Sequence, residues 1–456
     1  MDTVITRSRW VLGFFIFALS ICAVRLVQLQ IIEGPSLAAQ GQRVRTSSTE
    51  VAAARGTITD ATGVVLANSI QTYDIAVNQV NIRAYVHRDD DGNEVGRGPA
   101  EAARQLAPLL GMNEAELGGM MLGDSTYEYI KRNVDAVTYR EIRKLDIYGI
   151  EWESVFEREY PNGNVAAPVI GTVNAEGQGS SGMEAQFDTF LTGTPGAQAF
   201  EIAPNGAVMP GGKKTTVEPK NGGNVELTLH ADLQHQVQDL LDARVAKHHA
   251  DWGAVVIEDV ATGHVLVMAD SNSTEPDNAK PQKVHAVQDV FEPGSMGKLV
   301  TVGVALNQGT ISPTSVFQVP YALDLPDAGG PITDLHEHDG ETLTATGVLA
   351  ESSNTGTVLI GQTMSDEQRY SMMRAFGFGQ ETGIELPGES AGLLRNADQW
   401  QGRDRYVTMF GQAYAITAMQ EASALATIAN GGVRISPHIV KSWTNADGTV
   451  EVPDSS

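Results

Sequence analysis

Residues 291–298 read Phe-Glu-Pro-Gly-Ser-Met-Gly-Lys, and the run that follows, Leu299–Leu306, is apolar except for Thr301 and Gly303. Such a run has to be buried, and the Pro293-Gly294 break ends whatever precedes it, so a core helix begins at Ser295. Ser295 and Lys298 then lie on one face, one turn apart. That spacing brings an amine within reach of a hydroxyl, the arrangement a serine nucleophile needs when no histidine serves as base. The helix start also offers unpaired N–H groups and a partial positive charge to a developing oxyanion. Lys298, one turn in, is desolvated, which lowers its pKa and leaves a neutral amine able to accept the serine proton. Gly297 costs about 1 kcal/mol relative to alanine inside a helix. A close backbone contact is the expected reason for it.

Downstream, Ser352-Ser353-Asn354 falls between two short helical stretches, Ala345–Ala350 and Thr357–Thr363. A hydroxyl at Ser352 relays a proton between Lys298 and a leaving amine. An amide at Asn354 holds a substrate carbonyl and orients the lysine, while Ser353 points elsewhere. The expected catalytic set is therefore Ser295, Lys298, Ser352 and Asn354, with Ser352 and Asn354 also binding substrate. A lone Ser-x-x-Lys is common by chance on surface helices. The Pro-Gly break, the apolar helix and the second motif set this one apart. His336-x-His338-Asp339 lacks a further ligand at a standard spacing and reads as a polar loop near the cleft. Asp89, Asp91 and Asn93 alternate as in a calcium loop, but Gly92 comes too early and Ala100 stands where a closing glutamate is needed, so a solvated turn is expected. No metal and no cofactor are expected.

The 456 residues are too many for one ordinary core, so two or three domains are expected. A formal charge of −25 excludes a nucleic-acid partner, which needs a basic footprint. Cys22 is the only cysteine, so no intrachain disulfide forms. Trp10–Val24 is an uncharged apolar run, shorter than the ~20 residues a span needs. One apolar face continues past Arg25 to Ile32, and an arginine near a helix end snorkels, so Trp10–Ile32 is expected to cross a membrane. Arg7 and Arg9 precede it and place the N-terminus in the cytoplasm, with the bulk of the chain outside. A cleaved signal peptide is the rival reading, but no small-x-small site follows the apolar run.

Residues 33–220 read as a mixed region. Within it, a strand, a turn at Thr62-Gly63 and a second strand occupy 51–67, and 99–122 has helical spacing. Residues 203–224, rich in Gly, Pro and Lys, read as a linker. Beyond it come a helix over Asp232–Lys247 and a hairpin of Gly253–Asp259 and His264–Ala269. Capping boxes stand at Ser365 and Thr417. A final hairpin is expected over Val433–Trp443 and Thr449–Val452.

Ser-x-x-Lys with a downstream Ser-x-Asn is a signature of penicillin-binding proteins and serine β-lactamases. The sequence resembles the class B penicillin-binding proteins, the monofunctional peptidoglycan D,D-transpeptidases. Arg55-Gly56-Thr-Ile-Thr-Asp60, Arg158-x-Tyr160-Pro161-x-Gly163, Gly182-Met-Glu184 and Leu191-x-Gly193 look like the motifs of that family's non-catalytic pedestal. Phe291–Lys298, Ser352–Asn354, Thr382–Glu389 and Ala429–Gly432 match its transpeptidase domain. Phe376-Gly-Phe-Gly379 before Thr382 is most similar to the division-specific branch.

The resemblance implies an α+β chain in four parts. These are a cytoplasmic tail over 1–9, a transmembrane anchor over 10–32, an elongated mixed pedestal (dimerisation-type) domain over 33–222, and a transpeptidase domain of antiparallel sheet and helices over 223–456. It implies that Ser295 attacks the penultimate D-alanyl carbonyl of a stem peptide, that a second strand's amine resolves the acyl-enzyme during cell-wall, septal synthesis, and that β-lactams acylate the same serine. The implied partners are peptidoglycan stem peptides, β-lactam antibiotics, the membrane, a polytopic glycosyltransferase and other division proteins. The family's third motif, Lys-Thr-Gly or Lys-Ser-Gly, is absent after residue 354. The chain ends at Ser456 before the strand that carries it, so the expectation is a domain lacking its C-terminal part. Lys213-Lys214-Thr215, in the expected linker, is no substitute. Two alternatives stay open: a catalytically impaired membrane-anchored scaffold, and a β-lactamase or β-lactam sensor.

Overall fold

The computed structural model describes residues 2–33, 46–201, 209, 212, 214–271 and 282–453. The chain divides into two compact units, one of 1–53 with 194–220 and one of 54–193 with 221–456.

In the first unit, helix α1 runs Asp2–Val27 and continues as a π turn over Gln28–Ile32. Its stretch Leu12–Ile31 is long and apolar enough to cross a membrane, and Phe14, Phe15, Phe17 and Leu19 are exposed. The unit also holds a three-stranded antiparallel sheet in the order Thr46–Val51, Gly196–Glu201, Lys214–Val217. The expected linker over 203–224 is thereby corrected. Lys214-Thr-Thr-Val217 forms a strand paired with Gly196–Glu201, because Thr and Val suit a pleated edge. Lys213 and the rest of the linker's first half, apart from 209 and 212, lie outside the described residues.

The second unit is built on a seven-stranded sheet. Its spine is the long strand Val65–Val77, paired with Ile58–Thr59, Glu128–Val134 and Ile150–Glu159. Asn224–Leu227 lies parallel to Ile58–Thr59 and antiparallel to Val440–Thr444, which hairpins to Val450–Glu451. The final hairpin is thus shorter than expected, and residues 433–439 approach it as irregular chain. This sheet crosses the expected boundary at 222/223. One core explains why: Ile58, Leu66, Met183, Val225, Leu227, Val265, Met419 and Val440 are buried together.

Under that sheet a carboxylate joins the early motifs. Glu184, fully buried, accepts from Arg55 Nε at 2.6 Å and Arg158 Nε at 2.7 Å. The 99–122 segment is two helices, Gly98–Leu110 and Glu114–Met120, because Gly111 turns left-handed and the Asn113 side chain caps the second. The acidic loop at Asp89 is a hairpin turn whose carboxylate accepts from the N–H groups of Asp91 and Asn93. No group able to hold a metal ion occurs among the described residues.

Helix α2, Ala231–His248, buries Leu241 against Val267 and Ala269 of the hairpin Ala254–Glu258/Val265–Asp270. The hairpin closes through the Asp259 side chain, which accepts from the N–H groups of Ala261 and Thr262. Five further elements surround Ser295 and Lys298. They are α3 (Gly297–Asn307), the short helix Ala345–Ala350, α4 (Asn354–Gly361), α5 (Asp366–Ala375) and α6 (Ala418–Ala429). Both predicted capping boxes are present, at Ser365 and Thr417.

Candidate active site

Helix α3 begins at Gly297, two residues later than the expected Ser295, which lies instead in a 3-10 turn over Gly294–Met296 that leads into it. Val300, Val302, Val304 and Ala305 bury its body. Gly297 packs against the loop at Gly411: a Cβ there would lie 2.6 Å from the Gly411 Cα and 2.5 Å from the Tyr414 hydroxyl oxygen. The sequence rule-breaker is therefore a site of close approach, and it seats the start of the helix.

This seating leaves Ser295 exposed and Lys298 only 2% exposed. Burial pushes the Lys298 amine down to about 8, with the Asp334 carboxylate acting the other way. The amine donates to Ser352 twice, to its carbonyl oxygen and, at 3.0 Å, to its hydroxyl oxygen. The Ser352 hydroxyl in turn donates to Ser295 Oγ at 3.1 Å. The polar chain thus runs Lys298–Ser352–Ser295, rather than straight from lysine to the adjacent serine.

Ser352 closes the helix Ala345–Ala350 in the left-handed conformation, φ 52°. The Ser353 N–H then returns to Val348 O, the bond that commonly closes a helix end. Ser353 points away from the opening, as expected. Its hydroxyl accepts from Gly356 N–H at 2.8 Å and caps α4.

Asn354 is the first residue of α4, so that helix starts three residues earlier than Thr357. The side-chain amide of Asn354 donates to Thr333 O at 2.9 Å. This corrects the expectation that Asn354 orients the lysine, because the Lys298 hydrogen bonds go to Ser352.

Sequence reasoning missed Asp334. Its Oδ1 accepts from the N–H groups of Asn354 and Thr355, and its Oδ2 from the hydroxyls of Ser353 and Thr355. Burial works against its charge, but these bonds and one from His338 prevail and hold its carboxyl below the usual range. A single aspartate far upstream of the motif leaves no periodic signal. The histidines beside it did mark the loop as lying near the cleft.

A serine hydroxyl with a hydroxyl relay and a buried amine of lowered pKa can make and break an acyl-oxygen bond near neutral pH. Comparison with known proteins agrees with this chemistry. Residues 50–227 match the Penicillin-binding Protein dimerisation domain, and residues 253–455 match the Penicillin binding protein transpeptidase domain. The penicillin-binding protein PbpB of Mycolicibacterium smegmatis is 31% identical over 453 residues, 95% of this chain and 69% of that protein. The peptidoglycan D,D-transpeptidase FtsI of Escherichia coli K12 is 31% identical over 449 residues, 97% of this chain and 74% of that protein.

The chain belongs to the penicillin-binding proteins. Among solved structures, penicillin-binding protein 3 of Mycobacterium tuberculosis in complex with aztreonam superposes with a TM-score of 0.64. It is 28% identical and covers 89% of this chain, which covers 71% of it. The match to PbpB and FtsI over 95% and 97% of this penicillin-binding protein supports the resemblance to the class B, division-specific branch.

Proposed function

We propose that this penicillin-binding protein is a membrane-anchored peptidoglycan D,D-transpeptidase of septal wall synthesis. The observation that carries the reading is the hydrogen-bonded chain from Lys298 through Ser352 to Ser295, with the amine buried and the serine exposed. Neutral Lys298 takes the Ser295 proton through the Ser352 hydroxyl. The serine oxygen bonds to the penultimate D-alanyl carbonyl, and the C–N bond breaks. The leaving D-alanine amine receives the relayed proton. An amine of a second stem peptide then attacks the ester, forming the crosslink and returning the proton to Ser295. Asn354, on the same turn, holds the peptide. A β-lactam acylates Ser295 by the same first step and keeps its leaving group attached.

The apolar helix anchors the chain with its N-terminus in the cytoplasm, which Arg7 and Arg9 favour. That anchor also offers a surface to a glycosyltransferase embedded in the same membrane. Labelling of the full chain with a fluorescent penicillin tests the reading. A persistent label lost in Ser295→Ala is expected. An unlabelled chain overturns it, and rapid turnover of the penicillin would point to a β-lactamase instead.

A further inference from the structure

Ser352 holds a backbone conformation that L side chains disfavour, φ 52°, and yet both its hydroxyl and its carbonyl are aimed at Lys298. Something has to hold the next residues in place for that geometry to persist. The residues after it, Ser353, Asn354 and Thr355, all donate to one carboxylate. Asp334 accepts from the N–H of Thr355 at 3.0 Å and from its hydroxyl at 3.1 Å, from the Ser353 hydroxyl at 2.8 Å, and from the N–H of Asn354. Its side chain is 9% exposed. The carboxylate is itself held from the far side. The Gly340 N–H donates to His338 Nδ1 at 3.1 Å, which fixes the proton on Nε2, and that nitrogen faces Asp334 Oδ2 at 3.3 Å. The Tyr321 ring packs edge-on against the imidazole, with centroids 5.9 Å apart.

We propose that Asp334, braced by His338, is a positioning residue that fixes Ser352 against Lys298. The proposal rests on the serine acyl-enzyme reading above. The bracket acts in two ways that separate by experiment. Its hydrogen bonds fix where the Ser352 oxygens sit. Its negative charge is the one that acts on Lys298, and it favours the protonated amine. Neutralising Asp334 therefore loosens the relay and, independently, lets Lys298 lose its proton at lower pH.

The experiment is the rate of acylation of the full chain by a fluorescent penicillin from pH 6 to pH 10, for the wild type and for Asp334→Asn. Expected for Asp334→Asn is a plateau lower by roughly tenfold to a hundredfold, with the rising acid limb displaced to lower pH by about half a unit or more. A merely structural contribution lowers the plateau and leaves the limb where it was; that result, or a curve superposing on the wild type, overturns the proposal. If the wild type itself takes no label at any pH, the functional reading fails instead, and the two failures are distinguishable.

Thr355→Val removes a hydroxyl shared between Asp334 at 3.1 Å and Pro320 O at 2.8 Å and keeps the charge, so it should lower the plateau with the limb unmoved. Unchanged rates there count against the bracket even if Asp334→Asn does not fold. His338→Gln, which keeps a donor, should retain more activity than His338→Phe. Equal rates in those two variants remove His338 from the proposal.

Discussion

The Lys298 amine donates to the Ser352 hydroxyl at 3.0 Å while almost wholly buried. Burial holds the amine near 8, well below an ordinary lysine. The form that accepts a proton is the neutral one, so acylation should rise with pH and level off above about 8. Lys298→Arg keeps a positive charge and a donor but no available base, because a guanidinium stays protonated. Its acylation rate should fall by about a hundredfold or more, with no recovery at pH 9. Stopped or quenched labelling across that range reads both effects.

Ser352 sits where glycine is the usual residue, closing a helix in the left-handed conformation. Ser352→Ala and Ser352→Gly remove the same hydroxyl and should be equally impaired in acylation. They should differ in stability, with the glycine variant more stable by about 1 kcal/mol, since alanine pays for positive φ and glycine does not. Thermal unfolding of the two variants compares them directly. An alanine variant as stable as the glycine one would mean the turn relaxes when the hydroxyl is lost.

Much of this site could be read from the sequence for a physical reason. A Pro-Gly break before an apolar run leaves few options but a buried helix start, and the pair Ser295/Lys298 inherits its geometry from helix periodicity. The capping boxes at Ser365 and Thr417 were equally local. What stayed hidden was non-local. Asp334 reaches Ser353 and Thr355 across a loop, and no spacing rule connects them. The shared sheet was hidden for the same reason: strand pairing of Val225 with Ile58 joins segments far apart in the chain, and the hydrophobic pattern of either strand does not name its partner. The strand Lys214–Val217 carries no such signal either: its four residues are all exposed, and the flanking Gly and Pro read as linker.

Gly297 and Gly411 approach so closely that a side chain on the first meets backbone of the second. Backbone cannot swing aside as a flexible side chain would. Gly297→Ala should therefore displace the start of α3, which carries Lys298, together with the 3-10 turn before it, which carries Ser295. A loss of about 1–3 kcal/mol in stability is expected from the overpacking. Acylation should fall by more than the unfolded fraction accounts for, which labelling well below the melting temperature isolates. A variant that labels at the wild-type rate would show that the loop at Gly411 gives way freely.

Asp270, at the end of the hairpin strand Val265–Asp270, is 1% exposed. Burial pushes its carboxyl up to about 7 from 3.8, although the nearby His285 acts in the opposite direction. The sign of the consequence follows from proton counting. Between pH 3.8 and 7 the folded chain keeps a proton on this group that the unfolded chain has lost, so stability falls as pH rises through that window. Below it both states are protonated and the cost vanishes. Above it both are ionised and the native state carries the full cost of a buried charge. Asp270→Asn keeps the shape without the charge. It should be close to neutral in stability at pH 4 and stabilising by roughly 1–3 kcal/mol at pH 8. Chemical denaturation of wild type and variant at both pH values measures the gap. A gap that stays constant or narrows with rising pH would mean the carboxylate is compensated in the native state.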